Sequence, residues 1–79
     1  MSAKEMFREL GYELCPSFKS RYRYEKETDN HIYHFIFNEK RKIFSKLCDF
    51  GKTHICFEEI PAIIQQIDEI EKERGDKEW

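Results

Sequence analysis

The sequence lacks any apolar run near the roughly 18 residues needed to span a bilayer, and it shows no signal peptide. It contains only three glycines and two prolines, and no linker, repeat or low-complexity segment interrupts it. Its three cysteines are an odd number, which favours reduced thiols over a disulfide framework. We therefore expect one soluble, cytoplasmic domain over residues 1–75, followed by a frayed charged tail at residues 76–79.

A strong excess of one charge sign is also missing, since the formal net charge is −2. The charges are nevertheless unevenly spread. Residues 31–57 carry five lysines and arginines against two acidic residues, whereas residues 58–79 carry eight acidic residues against three basic ones. A dedicated nucleic-acid-binding protein usually has a larger basic excess, so the composition disfavours that class.

Helical spacing appears at both ends of the chain. Ser2 and Glu5 form a capping-box pattern, and Gly11 is placed to end a short helix that follows it. A longer helix is predicted to begin near Glu58 and to stop at Gly75, with Pro61 tolerated in its first turn. Five isoleucines recur on one face of this second helix, and we expect all of them to be buried: Ile60, Ile63, Ile64, Ile67 and Ile70.

The middle of the chain has the alternating pattern of β-strands. Residues 21–26, 32–37, 42–48 and 53–57 are predicted strands, and the connections between them are too short for anything but antiparallel neighbours. The predicted fold is therefore α+β. It is a three- to four-stranded antiparallel β-meander with a short N-terminal helix and a longer C-terminal helix on one face.

The period of two also predicts which face of the sheet the helices cover. We expect the aromatic side chains of residues 33, 35 and 37 to point inward and to be matched by Ile43 and Leu47, and by Ile55 and Phe57. The opposite face then carries aliphatic, aromatic, thiol and imidazole groups where a plain solvent face would carry Thr, Lys and Glu. This face is the candidate interaction surface: Ile32, His34, Ile36, Phe44, Lys46, Cys48, His54 and Cys56.

The thiols and imidazoles on that face suggest metal binding or cysteine catalysis as alternatives. Structural zinc sites normally use closely spaced ligand pairs such as C-x₂-C, and the sequence has none, so we expect no metal. Cys56 with His34, or Cys48 with His54, could form a thiol–imidazole pair across strands. A cysteine at the centre of a flat strand has no cleft, however. We expect no enzyme, no cofactor and no small-molecule substrate.

A second alternative is an open-sheet binder of RNA or single-stranded DNA. Aromatic rings for base stacking would come from the strands, and the cations for phosphate contact would be Arg21, Arg23 and Lys46. The sequence has no RNP-like motif, and an ordinary basic strand edge explains the same residues. Nucleic-acid binding is thus the less favoured reading.

Almost the whole chain resembles a family of short, mostly uncharacterised proteins from phages and prophages of Gram-positive bacteria. The resemblance rests on residues 3–7 (AKEMF), residues 10–13 (LGYE), the Ile-Tyr-x-x-Ile-Phe strand at residues 32–37, and residues 57–60 (FEEI). The Cys and His content and the charged tail depart from it. The resemblance implies an α+β fold in a host cytoplasm and carries over no active-site residue. We expect a small non-enzymatic module that binds a protein partner, or its own copy, through the open sheet face or edge.

Overall fold

The structure, a computed structural model, describes residues 1–18 and 20–74 of the chain. Two helices flank a five-stranded antiparallel meander with the strand order β1-β2-β3-β4-β5. The elements are α1 (Ala3–Glu9), β1 (Glu13–Leu14), β2 (Tyr22–Glu27), β3 (Ile32–Asn38), β4 (Ile43–Cys48), β5 (Gly51–Lys52), a 3₁₀ turn (Phe57–Glu59) and α2 (Ile60–Arg74). The α+β prediction is confirmed, but the sheet has five strands instead of three or four. Neither helix in the described ranges is long and apolar enough to cross a membrane.

Helix α1 forms where its local signals predict it. The Ser2 hydroxyl accepts from the Glu5 N–H at 3.2 Å, and Glu5 Oε1 accepts from the Ser2 N–H at 3.0 Å, which completes the capping box. Gly11 has a φ of 96°, a left-handed conformation that costs glycine little. This turn reverses the chain, so that Tyr12 enters the core directly after the helix.

Strand β4 faces the opposite way from the prediction. The β3–β4 loop has four residues, 39–42, and it pairs Asn38 with Ile43, which places Phe37 opposite Phe44 and Phe35 opposite Lys46. Directly paired residues share a face, so Phe44, Lys46 and Cys48 lie on the covered side. The predicted inward positions of Ile43 and Leu47 are therefore wrong.

The predicted strand at residues 53–57 is also wrong. Strand β5 contains only Gly51 and Lys52, and residues 53–56 have no regular structure. The Thr53 N–H makes one further ladder hydrogen bond, to Lys46 O at 3.1 Å, and the chain then leaves the sheet. His54 and Cys56 consequently lie in an exposed connecting segment.

The core is a stack of aromatic rings between α1 and the sheet. Phe7 lies 4.1 Å from Tyr24 between ring centroids in a stacked arrangement and 5.2 Å from Phe35. Tyr12 contacts Phe35 edge-on at 5.2 Å. All four residues are at most 2% exposed, so the inward facing predicted for β3 is confirmed at Phe35. A two-turn helix is held in place by burying these rings rather than by its own hydrogen bonds.

Helix α2 buries only part of its isoleucine stripe. Ile63 and Ile70 are in the core, whereas Ile60 and Ile64 are 41% and 61% exposed, contrary to the prediction. Helix α2 packs against α1 as well as the sheet, with Ala3 and Ala62 both buried. Glu69 Oε2 of α2 accepts the Ala3 N–H at 2.7 Å, which ties the two helices together. The predicted end at residue 75 and the predicted tail at 76–79 lie outside the described residues.

A buried carboxylate joins three parts of the chain. Glu59, 4% exposed, accepts from Lys46 Nζ at 2.8 and 3.1 Å and from the Tyr12 hydroxyl at 2.7 Å. Its Oε1 also accepts the Cys56 N–H at 2.9 Å. The Lys46 ammonium lies 5.4 Å from the centroid of the Tyr33 ring. Because the ions are paired and further hydrogen-bonded, their burial is sustainable.

The pKa of the Glu59 carboxyl reflects these opposing influences. Burial raises it, but the hydrogen bonds from Lys46, the Cys56 N–H and Tyr12 lower it more, so the net pKa lies below the ordinary 4.5. Burial raises the pKa of the Tyr12 hydroxyl, and the hydrogen bond to Glu59 raises it further, because a phenolate beside a carboxylate is disfavoured. The network therefore holds a carboxylate and a neutral phenol at physiological pH.

Ile70→Ala should lower the free energy of unfolding by about 2–5 kcal/mol, because it leaves a cavity in a fully buried site. Ile64→Ala, on the same helix, should change it by no more than about 0.5 kcal/mol. Urea denaturation followed by circular dichroism measures both. Equal losses would mean that α2 buries both side chains, as the isoleucine spacing alone predicts.

Glu59→Gln should lower the free energy of unfolding by about 3–5 kcal/mol at neutral pH, because it leaves the Lys46 charge buried without a counter-ion. A carboxyl with a depressed pKa stabilises the fold above its unfolded value of 4.5, and this contribution is lost as the pH falls through the folded pKa. The difference between wild type and variant should therefore shrink in acid. Denaturation curves at several pH values measure it, with the exposed neighbour Glu58→Gln as control. A gap that does not change with pH contradicts the prediction.

Candidate functional site

The side of the sheet opposite the helices is uncovered in the described part of the chain, and we call it the open sheet face. The register of the strands defines its members, because directly paired residues point the same way. The face comprises Glu13, Arg23, Glu25, Glu27, Ile32, His34, Ile36, Asn38, Ile43, Ser45, Leu47 and Lys52.

Four aliphatic side chains are spread over β3 and β4 of this face. Ile32, Ile36 and Leu47 are half-buried, and Ile43 is 50% exposed. Their partial burial comes from neighbours in the same sheet, since neither helix packs against this side. These four side chains make the open sheet face more apolar than a plain solvent face of Thr, Lys and Glu would be.

A polar cluster lies between these aliphatic groups. Arg23 Nη2 is 3.0 Å from His34 Nδ1 and 3.3 Å from Glu25 Oε2. A guanidinium can only donate, so a hydrogen bond at this position requires His34 Nδ1 to accept. Arg23 Nη1 also donates to the carbonyl of Cys15 at 3.3 Å, which ties the guanidinium to the backbone. The cluster is a preorganised set of donors and acceptors with little left to order on binding.

The charges at the level of His34 run from acidic to basic across the sheet. The register places one residue of each strand in this row: Glu13, Glu25, His34, Leu47 and Lys52 in strand order. Two carboxylates thus lie on the β1–β2 side and an ammonium lies on β5. The charge on the open sheet face therefore changes from negative to positive in the direction perpendicular to the strands.

The structure divides the predicted interaction surface into three locations. Ile32, His34 and Ile36 share the open sheet face. Phe44, Lys46 and Cys48 lie on the covered face, and His54 and Cys56 lie in the segment after β5. The sequence prediction missed Ile43 and Leu47. The even length of the β3–β4 loop was the signal that could have found them, because it fixes which residues pair.

The three cations of the nucleic-acid alternative do not form one surface. Arg23 is on the open sheet face, whereas Lys46 is buried on the opposite face in its contact with Glu59. Arg21 lies before β2 and forms ion pairs with Glu73 at 2.9 Å and Glu39 at 3.4 Å. No observation on this arrangement favours contact with a nucleic-acid backbone.

The four residues considered for metal binding are likewise separated. His34 is on the open sheet face, Cys48 is on the covered face, and the other two, at positions 54 and 56, follow β5. Within residues 1–18 and 20–74, no group of three or more His, Cys, Asp or Glu side chains is arranged to hold a metal ion.

Two adjacent residues of β4 test the facing of this strand. Phe44→Glu should lower the free energy of unfolding by about 2 kcal/mol or more, because Phe44 packs on Phe37 with ring centroids 5.5 Å apart. Ile43→Glu should cost no more than about 1 kcal/mol, since it places the charge on the open sheet face. Thermal denaturation compares the two variants. A larger loss of stability for Ile43→Glu than for Phe44→Glu would support the facing that the sequence predicts for β4.

Comparison with protein-family models, with curated proteins and with solved structures finds no match to this chain. The resemblance to phage and prophage proteins therefore stays a prediction. The arguments for function come from the arrangement of the side chains themselves.

Proposed function

We propose that this protein is a non-enzymatic protein-interaction module that binds through its open sheet face, and that its partner on this face is a second copy of the chain. One observation carries the proposal. A sheet covered on one side by both helices leaves its other side open, with Ile32, Ile36, Ile43 and Leu47 exposed in part to water. Packing two such faces together would bury these aliphatic groups as a β-sandwich does.

The strand lengths favour the face over the edges of the sheet. Both outer strands, β1 and β5, contain only two residues. An added strand would therefore find few consecutive unpaired backbone groups, and short edges are a common protection against such pairing. A contact through the face uses the three long strands instead.

The row of charges supports a particular symmetry. A two-fold axis parallel to β3 places β5 of one copy opposite β1 of the other, so that Lys52 approaches Glu13 of the second copy, and this contact occurs twice. An axis perpendicular to the strands would instead place the carboxylates of β1 and β2 against those of the same strands. The charge pattern therefore favours the first arrangement.

The size of the face sets the expected strength of the contact. Three strands about 20 Å long and two outer strands about 7 Å long, spaced about 4.8 Å apart, give a footprint of about 350 Å². A stable complex usually buries about 800 Å² per partner. We therefore expect a weak dimer whose population rises over the micromolar to millimolar range.

The proposal includes a cytoplasmic setting, in keeping with the predicted phage or prophage origin. All three cysteines are free thiols, Cys15 and Cys48 half-buried and Cys56 exposed. Free thiols are the usual state in a reducing compartment.

Ile36→Glu should abolish self-association while the fold persists, because the added carboxylate at the centre of the contact would have to be removed from water between the two sheets. Sedimentation equilibrium over a range of concentrations measures the dimer, and circular dichroism checks the fold. Ile64→Glu is the matched control, since Ile64 is exposed on α2, away from the open sheet face. Loss of the dimer in the Ile64 variant alone would assign the interface to the helix.

A pair of charge reversals tests the symmetry separately. Lys52→Glu and Glu13→Lys should each weaken self-association, because each brings like charges together at the two symmetric contacts. A mixture of the two variants should associate again, because every contact between unlike chains then joins opposite charges. A wild-type protein that stays monomeric at millimolar concentration contradicts the proposal as a whole.

A further inference from the structure

A pocket remains at one end of the covered face, where the helices do not reach. Its volume is about 370 Å³, at the lower end of the range of small-molecule sites. The walls combine strand residues and the segment after β5, chiefly Tyr12, Lys26, Thr28, Tyr33, Thr53 and His54. The buried Lys46–Glu59 pair also lines it. This concavity is on the opposite side of the sheet from the proposed dimer contact, and it is independent of that contact.

Lys26 is the one cation in the described lining without a carboxylate partner. The Lys46 charge is neutralised by Glu59 at 2.8 Å. The Lys26 ammonium instead lies 5.4 Å from the centroid of the Tyr12 ring, and its stem packs so close to Gly11 that an added Cβ there would be 3.2 Å from Lys26 Cε. A half-buried ammonium with no counter-ion gains from the arrival of an anion.

Further polar groups line the same pocket as this cation. The Tyr33 and Thr53 hydroxyls and the His54 ring make no hydrogen bond to any other residue within the described part of the chain. The Thr28 hydroxyl is already used, since it bonds to the backbone of His31 at 3.0 and 3.1 Å. The Tyr12 hydroxyl is also used, by Glu59. Each of these free groups can donate a hydrogen bond to an anion, while the half-buried Tyr33 ring supplies apolar wall.

We propose that this pocket binds a small organic carboxylate with a flat apolar body, and that Lys26 holds the carboxylate. A single uncompensated cation matches a monoanion, whereas phosphate groups are usually held by several cations or by a set of backbone N–H groups. The aromatic wall matches the apolar body. Glu58, which also lines the pocket and is exposed, opposes the anion and sets a limit on its affinity.

No sequence pattern predicts this site, because its lining comes from five separate segments of the chain. Lys26 and Tyr33 are brought together as directly paired residues of β2 and β3. The threonine at 53 and the histidine at 54 reach them only because the chain leaves the sheet after β5 to place Glu59 against Lys46.

Titration with benzoate, followed by the backbone amide resonances of the protein, tests the proposal. Benzoate should give saturable shifts centred on Lys26, Thr53 and His54. Benzyl alcohol has a similar ring without the charge. It should bind at least about tenfold more weakly, because it lacks the charge-assisted hydrogen bond. Inorganic phosphate should also bind more weakly. Equal affinity for benzoate and benzyl alcohol, or tighter binding of phosphate, overturns the assignment.

Two substitutions with opposite expected effects on benzoate affinity complete the test. Lys26→Met keeps the apolar stem and should weaken benzoate binding about tenfold or more without affecting benzyl alcohol. Glu58→Gln should strengthen benzoate binding, because it removes the opposing charge. Lys40→Met, in the exposed β3–β4 loop, is the control for general electrostatic attraction. Equal losses in the Lys26 and Lys40 variants, or a weakening by Glu58→Gln, would refute the site.

Discussion

The carboxylate of Glu59 lies where three segments of the chain meet, and the arrangement of the molecule depends on the ion pair that it forms with Lys46. Tyr12 joins it from the turn after α1, Lys46 from β4, and the Cys56 N–H from the entry to α2. Taking both charges out of water is costly unless every lone pair and proton is used, which this network nearly achieves. The contact fixes how α2 begins over the sheet, and with it the position of the segment between β5 and α2.

The ion pair also explains why the sequence predicts β3 correctly and β4 wrongly. In β3 the aromatic side chains at 33, 35 and 37 alternate with smaller or polar ones, and burial follows that alternation at Phe35 and Phe37. In β4 the same rule makes Lys46 a solvent residue, which forces Phe44 and Cys48 outward with it. A lysine is buried only when a partner is supplied, and its partner is in another element of the chain. Hydrophobic periodicity cannot predict an ion pair between side chains in two different elements.

Local signals were sufficient where the cause is local. The Ser2–Glu5 capping box and the left-handed turn at Gly11 are both present, because neighbouring residues alone satisfy the backbone groups involved. The isoleucine stripe of α2 shows the limit, since spacing identifies one apolar face but not how far the helix is rotated about its axis. Packing of α2 against α1 buries Ala62 instead, and Ile60 and Ile64 remain exposed. On the open sheet face, the sequence predicts the β3 residues Ile32, His34 and Ile36 but misses Ile43 and Leu47 of β4.

The open sheet face and the pocket depend on a single structural variable, the register of β3 against β4. Tyr33 lines the pocket and His34, the next residue, lies on the open sheet face, so the strand supplies both surfaces with alternate side chains. A slip of one residue would turn Lys46 outward, leave Glu59 buried without its counter-ion, and carry Ile43 and Leu47 into the core. In the slipped sheet, the open sheet face would lose Ile43 and Leu47, and the pocket would lose the Lys46 side chain from its lining. The buried ion pair is therefore compatible only with the observed register, and both surfaces depend on that register.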